Sequence, residues 1–387
     1  MIDVVVIGGG PAGLLAAARM ARAGLDVTLL EDHDTIGAPT HCTGIVSAEI
    51  TELVKVPESL VLERPTEARL HGPGGAHCTV PWSHPDREEL MVIDRAAFDR
   101  SLAEQAVEAG ATLRTAMPAD SVAVDTHGAT VQTPRGRVRA RLCLLACGVS
   151  YRFHRQLGLA LPGKLIHTAQ IELAAEPEAG VALHFGRGVA PGGFVWTVPI
   201  LRDGRPRVKI GLLAHGDAAG CLERFLRRPD IRARLTEVPG PPIRRLLPLR
   251  PMPATQTERV LVAGDAGGFT KPTTGGGIFY SLLTASLAAD TFIEARAAGR
   301  HDAAFLARYD RRWRERLGAE LWVGDCLRQL IDRCTDRDID TLIAALAAAD
   351  VQAVIRRVAR FNWHRDLILA LVRQRGIATL LLRAAFR

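Results

Sequence analysis

Two groups of residues near opposite ends of the 387-residue sequence carry the types and spacing that chemistry requires. The first is Gly8-Gly9-Gly10-Pro11-Ala12-Gly13, which follows a short β-branched run and opens an Ala/Leu/Arg-rich stretch. This fits G-x-G-x-x-G. In that pattern the first glycine permits a tight turn, the second lets the backbone approach a pyrophosphate, and the third lets the helix sit close to the sheet. The free N–H groups of the helix start offer positive potential to the phosphates. Glu31 stands at the end of the next buried run, where an acid takes the ribose hydroxyls of an adenosine. A purely structural glycine loop would not need strand, helix and acid together, so the pattern points to a dinucleotide and leaves NAD and FAD open.

The second group is Arg259-Val-Leu-Val-Ala-Gly264-Asp265-Ala266, followed by Pro272 and Gly275-Gly276-Gly277. It reads as a buried strand ending in Gly-Asp, then a glycine turn at the start of a helix. The Asp265 carboxylate can accept hydrogen bonds from hydroxyls, and a helix N-terminus at Gly276-Gly277 can stabilise negative charge. Another loop and helix cap is the plain alternative.

The elements that must position these groups are legible. Val4–Ile7, Leu14–Ala23 and Val27–Leu30 read as strand, helix and strand, the opening βαβ of a parallel sheet. Phe98–Ala109 reads as a helix stopped by Gly110, and Val122–Val124, Thr130–Thr133 and Val138–Leu145 as a meander returning to that sheet. From Leu165 to Arg250 the pattern changes to strands between Gly/Pro turns (Ile166–Leu173, Val181–Phe185, Phe194–Val198, Val208–Leu213), expected as an antiparallel sheet. Arg259–Ala263 returns as a buried strand, Ile278–Ala298 is a long helix with Gly299 as its stop, and the rest is helical. The expected fold is α/β, with a Rossmann-like domain built from 1–68, 92–164 and 255–300, a substrate domain from 69–91 and 165–254, and a C-terminal helical region at 301–387. The proline-rich Pro239–Pro253 is the nearest thing to a linker.

Composition sets limits. Hydrophobic residues at 48% and charged residues at 24% exclude a disordered or collagen-like chain. The seven cysteines are scattered without zinc spacing and read as reduced thiols, so no metal site is expected. The net charge of +7 is confined to 351–387, where eight arginines face the single acid Asp366; no nucleic-acid partner is expected. Met1-Ile2-Asp3 has no basic stretch before the first strand, so the expectation is a cytoplasmic protein without a secretory signal.

The Gly264–Gly277 segment resembles the flavin-contacting segment of the aromatic-hydroxylase-like flavoprotein superfamily, which makes the expected cofactor FAD. By that resemblance Asp265 binds the ribityl chain and Pro272 lies by the flavin ring. Within the superfamily, Gly37-Ala-Pro39-Thr-His-Cys42-Thr-Gly44, Pro191-Gly-Gly-Phe194-Val-Trp196-Thr-Val-Pro199 and Gly264-Asp-Ala-Gly-Gly-Phe-Thr-Lys-Pro272-Thr-Thr-Gly-Gly-Gly277-Ile-Phe-Tyr280 resemble the geranylgeranyl reductase family. Those are FAD enzymes that saturate isolated double bonds of isoprenoid chains, and the resemblance covers nearly the whole sequence. It implies Cys42 close to flavin and substrate, Arg95 bridging to the cofactor, and Phe194 and Trp196 lining an apolar pocket; saturating an electron-rich alkene also needs a proton donor close by, for which Cys42, Tyr280 or a water are the candidates. The expected FAD contacts are thus Gly8, Gly10, Pro11, Ala12, Gly13, Glu31, Arg95, Gly264, Asp265, Pro272, Gly275, Gly276 and Gly277.

Each of these has a plainer reading: a buried neutral thiol for Cys42, a surface ion pair for Arg95, ordinary strand core for Phe194 and Trp196. Three departures from the family stand out. Phe194 replaces a usual tyrosine, Val198 a usual phenylalanine, and Ala146-Cys147-Gly148 the usual Ala-Asp-Gly. No second G-x-G-x-x-G follows a strand, so electrons are expected from transient NADPH or a redox carrier protein. The expected substrate is a prenylated lipid, quinone, pigment or prenyl diphosphate. Alternatives are a flavin-dependent monooxygenase or halogenase, whose W-x-W-x-I-P motif Phe194–Pro199 loosely matches, and a flavin-binding protein without catalysis. Against a halogenase, Leu70–Trp82 contains no lysine.

In the tail, Val351, Val354, Ile355 and Val358 fall at helical spacing opposite Arg356, Arg357 and Arg360. Such a basic amphipathic helix can rest on the inner face of an anionic membrane through 351–387, or pack its apolar side on the core. The apolar runs Leu367–Val372 and Ile377–Leu382 are far below the roughly 18–20 residues needed to span a bilayer.

Overall fold

A computed structural model describes residues 1–82 and 89–386. Residues 83–88 of the expected 69–91 segment, and Arg387 of the basic tail, lie outside the described residues.

Three sheets organise the chain. The first has a parallel core in the order Val260–Val262, Gly136–Leu145, Ile2–Ile7, Val27–Leu30, Thr112–Arg114, with Ser121–Val124 and Ala129–Thr133 added as the antiparallel meander. Its central strands are continuous apolar runs (Val4, Val5 and Val6 are all 0% exposed), as a sheet covered on both faces demands. One face is covered by Pro11–Arg22 and Ile278–Ala298. Both helices carry alanine on their buried sides (Ala16 and Ala17; Ala285, Ala288 and Ala289), which lets their axes approach closely. Arg19 ties them through a 2.8 Å ion pair to Asp290. The second helix is long and apolar enough to cross a membrane by composition alone, but it is spent on this core.

The second sheet has seven strands in the order Ile243–Arg250, Gly163–Ala174, Arg205–Ala214, Phe194–Arg202, Val181–Phe185, Glu67–His71, His77–Pro81. All pairs are antiparallel except Val181–Phe185 with Glu67–His71, which run parallel because the two strands come from distant parts of the chain. The proline-rich stretch expected as a linker is instead the edge strand Ile243–Arg250. Pro248 is accommodated there because an edge strand need not donate on both sides. The helix Ala218–Leu226 covers one face, burying Leu222 and Phe225 against Ile210 and Leu212.

A small third sheet, with Leu90–Ile93 between Ile45–Ser47 and Val61–Glu63, was not foreseen. Its strands are three or four residues long and none of them alternates, so periodicity had little to register. The C-terminal helices form a separate cluster. The basic helix Ala349–Val358 turns Val351 and Ile355 inward against Ile377, Leu380 and Leu381, so its apolar stripe is consumed by packing.

Candidate active site

The strand Ile2–Ile7 ends where Gly8 turns at φ +111°, and a side chain on Gly13 would stand 2.0 Å from the Gly8 carbonyl oxygen. Gly10 differs: an added Cβ there meets nothing within 4 Å. That open space lies at the N-cap of Pro11–Arg22, where free N–H groups face outward, the cradle a pyrophosphate needs. The Glu31 carboxylate is buried beside it, accepting from the Gly9 N–H at 2.6 Å and lying 2.5 Å from the His33 ring. Burial and the neighbouring Asp32 push its pKa up, against the hydrogen bonds from His33 and Gly9.

Asp265 sits in the single helical turn Gly264–Gly267 after the strand Val260–Val262. Burial raises its pKa to about 6, partly offset by the Arg95 charge; Ser281 Oγ is 3.5 Å away. Nearby, the Tyr151 hydroxyl is buried without a hydrogen-bond partner among the described residues, and its pKa is pushed up by burial and by Asp265. An under-satisfied carboxylate and an orphaned phenol, next to an open glycine cradle, fit a hydroxyl-rich dinucleotide such as FAD. Gly277 brings the start of Ile278–Ala298 to the same place, an added Cβ falling 3.1 Å from Asp265 Oδ1.

Arg95 opens the helix Arg95–Glu108 behind the cap Asp94. Its guanidinium donates twice to Asp99 at 3.1 Å, and it also interacts with Cys42 and Asp265. With the Arg95 side chain only 14% exposed, the surface ion-pair reading fails. Cys42, Arg95 and Asp265, distant in sequence, are therefore brought to one place.

The second sheet supplies the facing wall. On one side of it, register aligns Thr168, Leu213 and Phe194 in a row; Gln170, Gly211 and Trp196 in the next; and Glu172, Lys209 and Val198 in a third. The wall grades from apolar to charged. Phe194 and Trp196 meet at 6.0 Å and join Ile166, Leu183, Phe185, Leu213, Leu247 and Leu249. Trp196 lies across Gly211, where an added Cβ would be 2.4 Å from its ring; the buried indole N–H has no partner among the described residues. Gly275 lies on this cluster, an added Cβ coming 2.6 Å from Leu247 and 3.3 Å from Leu213. The glycine loop expected to hold the flavin thus touches the apolar wall.

A family model described as lycopene cyclase protein matches residues 3–170. Among curated relatives, a digeranylgeranylglycerophospholipid reductase of Methanothermobacter thermautotrophicus is 32% identical over 91% of this chain and 93% of its own. The chain belongs to the geranylgeranyl reductase family of FAD-dependent oxidoreductases. A digeranylgeranylglycerophospholipid reductase of Methanothrix thermoacetophila is 28% identical over 93% and 96% of the two chains. Among solved structures, a geranylgeranyl bacteriochlorophyll reductase-like protein of Thermoplasma acidophilum superposes with a TM-score of 0.85 at 21% identity over 99% of both chains. The flavin-dependent brominase Bmp2 superposes at 0.72 with 15% identity, over 100% of this chain and 98% of its own, a likeness of fold.

Other members of the expected set fall differently. Pro272 is buried, with its ring 3.3 Å from the position of a Cβ on Gly324 of the C-terminal helices. Tyr280 is 1% exposed; its hydroxyl donates to the Asn362 carbonyl and its ring lies 6.3 Å from Trp363. That gives the phenol a structural task. Cys147 donates to the Ser150 carbonyl at 3.3 Å, and burial pushes its thiol up to about 12, so this thiol is a neutral group. Sequence reasoning missed Tyr151, Gln170 and Lys209. Only Lys209 left a trace, as one of four lysines in a chain with 49 Lys and Arg together.

Proposed function

We propose that this chain is an FAD-dependent reductase that saturates isolated double bonds of a geranylgeranyl-type chain carried on a lipid, in keeping with the names of its relatives. The observation that carries this reading is the contact of Gly275 with the Leu213–Leu247–Phe194–Trp196 wall: the cofactor loop opens onto an apolar surface suited to hydrocarbon.

When bound and reduced, FAD supplies a hydride. The chain's own residues do the rest. Gly8, Gly10 and Gly13 with the N-terminus of Pro11–Arg22 hold the pyrophosphate, Glu31 the adenosine ribose and Asp265 the ribityl hydroxyls. The N-terminus of Ile278–Ala298 stabilises negative charge on the cofactor. A trisubstituted alkene is electron-rich, so one carbon accepts hydride only as the other gains a proton, and the acid must sit in a dry pocket. Cys42, held beside Arg95, is the candidate for that acid. Electrons come from NADPH docking transiently or from a carrier protein.

Delivery of a lipid favours a membrane-facing surface, which we place on the helices Ala319–Ile331, Arg365–Val372 and Arg375–Ala385. Trp322, Leu369, Leu382 and Phe386 are exposed there together with Arg365, Arg373, Arg375 and Arg383. The expected basic helix Ala349–Val358 is not used, its apolar side being buried.

The test is anaerobic incubation of the flavin-loaded protein with dithionite and geranylgeranyl lipid, followed by mass spectrometry. A gain of two mass units per double bond supports the reading. Hydroxylated or halogenated product under oxygen, with no reduction under any donor, overturns it.

A further inference from the structure

Lys209 is 3% exposed in the middle of Arg205–Ala214. Burying an ammonium is costly unless something requires it there. Its cross-strand neighbour Glu172 makes no ion pair with it: that carboxylate is taken by Arg202 at 2.8 and 3.1 Å and by Arg207 at 3.0 Å. Lys209 has no ion pair among the described residues and makes one hydrogen bond, from Nζ to the Thr43 carbonyl at 2.8 Å. Two of its three donors are left over. The Thr43 hydroxyl in turn donates to Gln170 Oε1 at 2.8 Å, so Thr43 is held at both ends by the second sheet. Cys42 is the preceding residue and interacts electrostatically with both Lys209 and Arg95. In a chain that uses arginine for nearly every cation, a lysine here has a physical reason: a single carbonyl satisfies a compact ammonium better than a five-donor guanidinium.

We propose that Lys209 is a positioning residue of the reaction, which seats the Cys42–Thr43 loop on the second sheet and fixes a positive charge beside the Cys42 thiol. It rests on the reading of the site as an FAD-dependent reductase, but its primary test needs no substrate. Burial pulls the Lys209 pKa down while Cys42, Glu172 and Asp94 oppose this. The charge that survives acts at short range because the surroundings are dry.

The experiment is iodoacetamide alkylation of the flavin-loaded protein at one fixed neutral pH, read at Cys42 by peptide mass spectrometry. Lys209→Gln keeps a donor for the Thr43 carbonyl and removes the charge; Lys209→Met removes both. A cation beside a thiol favours its alkylation, so the rate at Cys42 is expected to fall about tenfold in both variants, with flavin content retained. Reduction of geranylgeranyl lipid is expected to fall about tenfold or more in kcat with KM little changed. An unchanged alkylation rate in either folded variant overturns the proposal. A slowed rate in a protein that reduces no prenyl chain leaves the Lys209 assignment standing and removes the substrate reading.

Discussion

The Tyr280 hydroxyl donates to the backbone carbonyl of Asn362 at 2.9 Å, and both residues are at least 98% buried. This bond joins the first turn of the cofactor helix to the chain beyond Phe361. Lys271 donates to the Phe361 carbonyl at 2.9 Å, Thr273 meets His364 at 2.6 Å, and Asn362 and Trp363 donate to Glu49 at 2.9 and 2.7 Å. Replacing Tyr280 by Phe is expected to cost about 1–2 kcal/mol of stability, by leaving a buried carbonyl unpaired. Flavin content and turnover should persist. Thermal melts with steady-state assays check this; a hundredfold loss of kcat with flavin intact would return the phenol to the list of proton donors.

Gly10 and Gly13 separate binding from folding. Gly13→Ala forces a Cβ against the Gly8 carbonyl and is expected to destabilise the whole first sheet. Gly10→Ala enters open space at an allowed φ of −80°, so the melting temperature should hold. FAD affinity should fall about ten- to a hundredfold, because the methyl occupies the approach of the pyrophosphate. Flavin fluorescence titration of both variants is the measurement.

Asp265 makes a prediction in pH. Its folded pKa of about 6 lies above the ordinary 3.8, so the folded protein holds its proton longer than the unfolded chain. Stability of the flavin-free protein therefore falls as pH rises from about 4 to about 6, by on the order of 3 kcal/mol, and stays lower at neutral pH. Asp265→Asn should raise the neutral-pH melting temperature of flavin-free protein, the gain vanishing towards pH 4, while FAD binding weakens. An equal stability difference at both pH values would contradict this assignment.

Gly211 offers a probe of the apolar wall. Gly211→Ala drives a methyl into the Trp196 indole and should displace it. The expected outcome is a KM for prenyl substrate raised about tenfold with flavin affinity unchanged. A change in flavin affinity with an unaltered KM would show that Trp196 serves the cofactor side.

The sequence announced the parallel core because its signals are local. Val27–Leu30 and Ile278–Ala298 end where turn and stop residues stand, and Gly8–Gly13 is a pattern within one turn. It could not announce the convergence of Cys42, Arg95 and Asp265, which depends on three different elements closing together. Nor did it single out Lys209, whose importance lies in the cross-strand partners that register assigns it and in the loop seated above. The linker reading of Pro239–Pro253 failed because proline content was weighed without knowing that the strand lies at an edge. The basic helix was correctly seen as amphipathic, but amphipathicity cannot say whether protein or lipid covers its apolar side.

The small third sheet has a consequence for how the site tolerates change. Ile45–Ser47 leaves the Cys42 loop and pairs with Leu90–Ile93, which runs directly into Arg95, and the Ile93 N–H donates to the Gly44 carbonyl at 2.9 Å. The spacing of Cys42 and Arg95 is therefore set by a ladder rung and not by the chain between them. Length changes in the turn 72–76, which joins two strands of the second sheet, therefore need move neither group, so that turn is free to diversify while Cys42 and Arg95 stay in register.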